Sequence, residues 1–598
     1  MAVAGASWWL GQSGSSDSDV RQKSVLASLT SDFGLTYQPS LSPDGKLLAY
    51  ASDRAGEGNL DIWVQQVGGG QPVRLTRHEA DESEPHFSPD STRIVFRSER
   101  DGGGVYTIST LGGDEPRLIA REGRRPRFSP DGSRIAYWVG SESNLRGRVL
   151  VVGSTGGEPA ELAFGRSPIW TPDSRHLLFL GRVDSDSSTS EADWLVVSLD
   201  GAVVPTGAFE VLQNQSLGPT LRYAFIAEVW PPRENYIAFA ARLGDSTNMW
   251  EVPISPDTWQ VAGPPRQLTF GAGIEVQSSF AAGGQMVFST QVENLDIWGL
   301  PIDENRGEVS GETERLTTST AEDLSPSLSS DGKKMVFRSA RSENFDVWMK
   351  DVETGRESNL TASPEDERTA IISADGSKVA YRIATTDIYV VPASGGMARN
   401  VCEGCGGALS HWSRSGERLI FYRRAPPETG FSNLIAVLTF SSSEVTGLAG
   451  AEQFLADPRF SPDGNWFAFH ASNIARARRQ IFIAPVRATD LPIKRNEWIA
   501  VTDGSGSDSR AAWSPDGNLL YFLSERDGSR CVWAQRLDPK TKKPVGSAFG
   551  VYHAHQRRRS MMNVNLETIG LSVARDKIAI TMREITGNIW MMEPASEK

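Results

Sequence analysis

Residues Glu84–Arg100 read EPHFSPDSTRIVFRSER, and near copies stand at Gln38 (QPSLSPDGKLLAYASDR), Arg125 (RPRFSPDGSRIAYWVG) and Asp457 (DPRFSPDGNWFAFHAS). A phrase repeated along a chain is one structural unit used many times. In each copy a short stretch precedes S-P-D-G or a variant, and an alternating apolar strand follows (RIVFRS, LLAYAS). A polar loop then leads to a strand that often carries Trp, as in LDIWVQQV from Leu60. After a Gly-rich turn, a short strand ends in Leu-Thr or a relative (PVRLT, ERLT, SNLT). The unit is four strands joined by tight turns. Pro sets φ near about −65° at the turn and Asp-Gly completes the reversal at little strain, so S-P-D-G reads as a hairpin connector rather than an active-site motif.

The unit can be followed by its anchors: Asp44, Asp90, Asp131, Asp173, a degenerate one near Asn235, Gly284, Asp331, Asp375, Gly416, Asp463, Asp516 and a degenerate one near Asp576. Four strands per period of roughly 40 to 60 residues is a propeller-blade pattern. Helical periodicity is nearly absent, and NIARARRQ near Asn473 reads as a polar loop. Trp63, Trp250, Trp298, Trp348, Trp533 and Trp590 recur at one place in the unit, which suits packing between neighbouring sheets better than a ligand site.

Ring closure sets the domain organisation, because an open sheet edge is costly. VLASLT (Val25 to Thr30) matches a fourth strand with no unit before it, and GNIWMMEPASEK a third strand with no fourth after it. The expectation is all-β: two tandem β-propellers of six four-stranded blades, with a leader at 1–23, the first propeller at 24–312 and the second at 313–598. VLASLT is expected to complete the blade around Gln277 to Ile302, and ERLT (Glu314 to Thr317) the blade around Met561 to Pro594. Seven plus five blades is the alternative.

The bulk composition narrows the function. With 598 residues the chain exceeds what one core supports. A net charge of −13 argues against binding nucleic acid, which calls for a basic surplus. The three cysteines, Cys402, Cys405 and Cys531, are too few for a disulfide framework. The lone Cys402-x-x-Cys405 lacks a second ligand pair at zinc spacing and reads as a turn with two thiols, bridged in an oxidising compartment. No stretch approaches the roughly 20 apolar residues of a membrane span. The start, with Trp8 and Trp9 before a polar linker, has two readings: a cloning leader or the end of a membrane helix.

FSPDG after a short strand, then DIW and RLT, resembles the TolB-like and WD-like β-propeller repeats of bacterial envelope proteins. The resemblance runs from about Val25 to Pro594 and weakens near Asn235, Gly416 and Asp576. It implies paired propellers in a periplasmic or other extracytoplasmic setting. TolB's propeller follows a small α/β domain and is a docking platform for envelope proteins and toxins. That domain is missing from the pattern here, so those specific partners do not carry over. Similar propellers also stand behind a winged-helix or kinase domain and one membrane helix in bacterial regulators.

The candidate chemistry is sparse. Related propellers cap serine peptidases, but no G-x-S-x-G is present; GQSG at Gly11 and GSGS at Gly504 miss the spacing. A metal-dependent polysaccharide lyase would need converging histidines and acids. His86 and His411 sit at entrances to innermost strands of different rings, and His553 and His555 are expected to point both ways along one strand. No catalytic residue, cofactor or metal is expected.

What remains is binding. Loops entering the inner strands are acidic: Glu79, Asp81, Glu82 and Glu84; Glu322 and Asp323; Glu365, Asp366 and Glu367; Asp503 and Asp508. They form a candidate rim for a cationic peptide or protein segment, opposed in the first ring by the basic REGRR (Arg121 to Arg125). The expected role is a non-enzymatic scaffold for protein or peptide binding, with a sensor role behind a membrane tether as one form of it. A lyase and an architectural assembly module are the alternatives.

Overall fold

A computed structural model describes residues 25–593 except 141–144, 146, 183–191, 220–224, 233, 384–386, 406, 427–430, 432, 474–477, 488–492 and 563. The leader with Trp8 and Trp9, and most of the loop after Asn473, lie outside the described residues.

The S-P-D-G turn explains its own repetition. The Ser42 hydroxyl donates to Asp44 Oδ1 (2.6 Å) and accepts the Leu47 N–H (2.9 Å), while Asp44 Oδ1 accepts the Lys46 N–H (3.1 Å). Gly45 takes φ 71°, a conformation that costs glycine little. The same bonds recur from Ser88 to Asp90, Ser129 to Asp131, Ser373 to Asp375 and Ser514 to Asp516. These hydrogen bonds to the carboxylate hold the Asp44, Asp90 and Asp131 side chains below their usual pKa.

The turns join antiparallel four-stranded sheets into two propellers of six blades. In ring one, the inner strands Thr36–Leu41, Glu82–Phe87, Arg124–Phe128, 165–170, Ala227–Val229 and Ile274–Phe280 touch in a closed circuit. In ring two, Asp323–Leu328, Glu367–Ile372, Ala408–Trp412, Phe454–Phe460, Ser509–Trp513 and Ser572–Ala574 do the same. Core clusters lie between successive sheets; Trp63 packs against residues of the first and sixth blades of ring one, including Leu48, Val287 and Met591. Among the described residues there are two short α-helices, Ala208–Asn214 and Leu566–Ile569.

Closure departs from the expectation in one respect. Met286–Asp303 and Lys577–Glu593 are long unbroken strands paired antiparallel from Met286 opposite Met592 to Pro301 opposite Lys577. The first half of Met286–Asp303 pairs with Ile274–Phe280 in ring one, and its second half with Glu314–Arg315. Conversely, Lys577–Glu593 pairs with Ser572–Ala574 in ring two and, at its far end, with Val25–Ser28. Each strand is thus second in one ring's closing blade and third in the other's. Val25–Ser28 and Glu314–Arg315 are the outer strands, as the closure argument requires, but the third strands are exchanged, so the expected boundary between 312 and 313 is crossed by a continuous sheet. The physical reason is in the connections: sister blades break between second and third strands with segments such as DRAGEGN and ERDGG, whereas TQVEN and REITGN run straight through.

Candidate functional site

The inner strands carry a β-bulge at a fixed place. Gln38, Glu84, Arg125, Ser167, Gln277, Ser325, Asp457 and Arg510 have φ between 47° and 61°, and the ladder slips there, as between Ser83 and His86. Left-handed non-glycine residues cost on the order of 1–3 kcal/mol; a bulge re-aims side chains, here toward the neighbouring inner strand.

In ring one these side chains form a belt. Glu228 accepts the N–H of Gln277 and Ser278 (2.8 and 2.6 Å), and Gln277 Oε1 accepts that of Gln38 (3.2 Å). Gln38 Oε1 accepts the Glu84 N–H (2.8 Å), and Glu84 Oε2 the Arg125 N–H (2.6 Å). A second layer repeats the device: Ser279, Ser40 and His86 Nδ1 accept the N–H of Leu41, Phe87 and Phe128 (3.0, 3.2 and 3.3 Å).

Ring two begins the second layer alike, with Ser572 and Ser327 accepting the N–H of Leu328 and Ile372 (2.9 and 3.2 Å). It stops at the apolar Ile371, and His411, next in the layer, has its Nδ1 buried with no hydrogen-bond partner among the described residues. A cavity of about 710 Å³ runs through this channel, with Ser327, Thr369, His411, Asp457, Arg459 and Arg510 among its walls. Asp457 Oδ1 pairs with Arg510 Nη1 (2.6 Å) and Oδ2 lies 3.3 Å from His470 Nδ1. Burial opposes its charge, yet Arg510 and His470 hold the carboxyl far below its ordinary range. Burial pushes His411 down to about 3, helped by the Arg459 charge, so the imidazole is neutral. Arg459 is lowered to about 10 by burial and by Arg510. Its guanidinium has no hydrogen bond or ion pair among the described residues, and faces the cavity.

The predicted acidic residues divide. Asp81, Glu82, Glu84, Asp323, Glu367 and Asp508 are buried, whereas Glu79, Glu322, Glu365, Asp366 and Asp503 are exposed. Glu82, Asp323 and Asp508 pair with Arg100, Arg341 and Arg526, each two residues past the end of the second strand. Those arginines stack on the recurrent third-strand aromatics Tyr106, Trp348 and Trp533. Asp81 accepts the N–H of Leu60 and Arg557 (2.9 and 2.6 Å), and Glu84 lies 3.7 Å from Arg557. The acidic loop of ring one therefore already holds a cationic segment, the chain's own Arg557–Arg559, with Arg558 paired to Asp53 (2.6 Å). Asp366 accepts the Phe345 N–H (3.0 Å) and Asp503 that of Ser505 (3.0 Å).

His86 and His411 line different rings. His553 and His555 do not point both ways: both rings reach Asp527 Oδ2, at 2.9 and 3.1 Å, because residues two apart on an extended chain share a side. Reading loops for charge missed Asp457, Arg459 and Arg510. The signal for them is the x-Pro-x or x-Ala-x triplet before F-S-P-D or W-S-P-D, which marks the bulge.

This geometry defines a double β-propeller with one channel stitched and one open. Residues 18–205 match the TolB beta propeller domain family, and the rest of the chain, where the same repeat continues, is similar to it. The chain is 31% identical over 109 residues to the uncharacterized peptidase YuxL of Bacillus subtilis, covering 17% of each chain. It is 30% identical over 132 residues to the uncharacterized protein Atu1656 of Agrobacterium fabrum, covering 19% of this chain and 43% of that one. The chain thus spans less than half the length of these curated relatives. Solved structures of similar fold include the putative TolB of Agrobacterium tumefaciens (TM-score 0.37, 17% identity, 50% of this chain and 98% of that one). The tricorn protease is another (TM-score 0.31, 13% identity, 87% and 52%). No helix among the described residues is long and apolar enough to cross a membrane.

Proposed function

We propose that the protein is a rigid, non-enzymatic platform that binds a protein or peptide segment at the open channel of ring two. The observation that carries this reading is the unpaired Arg459 guanidinium beside the neutral, unpartnered His411 in a cavity of about 710 Å³. The Arg459 side chain is half-buried in the channel wall, and an incoming carboxylate pairs with it through a charge-assisted bond. The preferred ligand is an acidic side chain or a free C-terminal carboxylate. The exposed Glu322, Glu365, Asp366 and Asp503 of ring two, with Glu79 of ring one, are proposed as an outer acidic rim that suits a cationic segment flanking the carboxylate. An extracytoplasmic setting belongs to the same proposal, supported by the Cys402–Cys405 disulfide, as does a sensor role behind a membrane tether.

Fluorescence anisotropy with labelled nonapeptides tests it: an acidic peptide with a free carboxylate, its C-terminal amide, and a lysine-rich version. Arg459→Ala is expected to weaken the acidic peptide about tenfold or more, the worth of one charge-assisted hydrogen bond. Binding unchanged in Arg459→Ala overturns the proposal. A lysine-rich peptide that binds, and weakens in Glu365→Lys/Asp366→Lys, would instead favour a cationic partner on the acidic rim.

A further inference from the structure

The blades serve as internal comparisons for one another, and one of them differs at a position the others share. The third-strand portion of three sister blades begins at Asp61, Asp296 and Asp346, and each carboxylate meets a threonine two residues past the outer strand: Thr76 (3.4 Å), Thr317 (3.2 Å) and Thr361 (3.2 Å). In the fifth blade of ring two that position is Cys531, fully buried, and the threonine is gone. In its place runs Tyr-His-Ala-His, which puts His553 and His555 on either side of Ala554, whose N–H meets the Cys531 sulfur. The loop before Cys531 supplies Asp527. One ligand atom from each of Asp527, Cys531, His553 and His555 lies within 4.8 Å of all the others.

The donors converge. His553 Nδ1 and His555 Nε2 both aim at Asp527 Oδ2, at 2.9 and 3.1 Å. Gly550 leaves room for the His553 ring, since a Cβ there would meet Nε2 at 2.3 Å. Two imidazoles, one thiolate and one carboxylate make a tetrahedral nitrogen–sulfur–oxygen set, the chemistry that suits zinc rather than calcium or magnesium. Zinc–ligand bonds of about 2.0–2.3 Å place donors roughly 3.3–3.7 Å apart, which small side-chain rotations supply.

We propose that Asp527, Cys531, His553 and His555 form a closed Zn²⁺ site that anchors the segment carrying Arg557 and Arg558 against ring one. On binding, the Cys531 thiol gives its proton to solvent and its sulfur bonds the metal; no electron is transferred. The anchor sits two residues before Arg557, whose N–H bonds Asp81, and three before Arg558, which pairs with Asp53. Metal occupancy therefore stiffens the contact between the rings.

The test uses the full chain stripped by chelator. Cobalt titration reads sulfur ligation directly: wild type is expected to bind one equivalent with a thiolate-to-cobalt charge-transfer band, lost in Cys531→Ser. In competition with a chromophoric chelator, zinc affinity falls about 100-fold or more in Cys531→Ser and in His553→Ala/His555→Ala, more than loss of an outer-sphere partner costs. The histidines are part-exposed, so the double variant keeps its fold, checked by circular dichroism. Zinc should slow amide exchange at 556–560 in wild type alone. Absence of the band in wild type, its persistence in Cys531→Ser, or zinc affinity equal in all three proteins overturns the site. Zinc bound without slower exchange at 556–560 overturns the anchoring.

Discussion

The two rings are built from one repeat, yet their axes differ. Ring one uses the bulged residue of four inner strands to hold the next: Glu228, Gln277, Gln38 and Glu84 pass a chain of side-chain-to-backbone bonds from blade to blade. Ring two places Ser325, Thr369, Leu409, Asp457 and Arg510 along the same layer, and among the described residues its side-chain links there are Asp457 with Arg510 and the bonds of Ser325 and Arg510 to the Thr568 and Leu566 carbonyls. Short or apolar side chains do not reach the next strand, so the channel keeps its volume and its unpaired cation. The same fold carries a stitched belt in one ring and a ligand-sized cavity in the other, according to the side chains at the bulges.

The comparison assumes that the rings are mechanically one body, and the exchanged strands make that assumption breakable. Ile589→Pro removes the N–H that donates to the Thr30 hydroxyl (2.9 Å) and inserts a ring where ring one's share of Lys577–Glu593 is fully buried. In a central strand this costs about 3 kcal/mol or more. Hydrogen exchange should rise in the closing blades of both rings together, since residues 577–585 of the same strand serve ring two. A rise confined to residues 274–292 would mean the rings behave independently.

The blade, the twelve anchors and the two outer closing strands were legible because S-P-D-G, Trp and Leu-Thr each do one local job that leaves a local trace. The strand exchange was less so: TQVEN and REITGN differ from sister loops only in lacking a turn, and an absence is easily read as a degenerate loop. Charge was misleading at the rim. Glu82 and Asp323 look like solvated loop residues in sequence, but the S-x-R that leads out of the next strand into its turn supplies Arg100 and Arg341, and Tyr106 and Trp348 hold those arginines in place. Only pairing across a folded blade reveals that. The channel residues were hidden for the opposite reason, since Asp457 and Arg459 sit inside a strand that reads as an ordinary entrance to F-S-P-D.

A second contrast is energetic. Glu84→Ala leaves the part-buried Arg125 N–H without its acceptor and removes one carboxylate from beside Arg557, a loss of about 2 kcal/mol. Ser325→Ala in ring two removes one hydroxyl bond to the Thr568 carbonyl (3.1 Å), worth about 1 kcal/mol. Denaturant midpoints should therefore fall further for the ring-one variant. Equal losses would mean the belt does not stiffen ring one beyond its counterpart.

The smallest expected effect isolates one blade that lacks its arginine. Glu367 occupies the position of Glu82, Asp323 and Asp508, but its second strand reads YRI-A-T-T, with no S-x-R. Its Oε1 accepts the Ser363 hydroxyl (2.7 Å) and its Oε2 has no partner among the described residues. Burial, with Asp346 nearby, pushes its pKa up from 4.5 to about 7. An acid raised in the folded state binds its proton more tightly there, so its contribution is complete below the unfolded value and is lost as pH rises toward about 7. Glu367→Gln keeps the shape without the charge. Its stability relative to wild type should climb between pH 4.5 and 7 and then level, by about 1 kcal/mol once solvent screening near the loop is allowed for. Asp61 and Asp81, each raised to about 6 mainly by burial, titrate in that window in both proteins and cancel in the difference. A difference that stays flat across the window would show that Glu367 is already neutralised by a cation its own sequence does not announce.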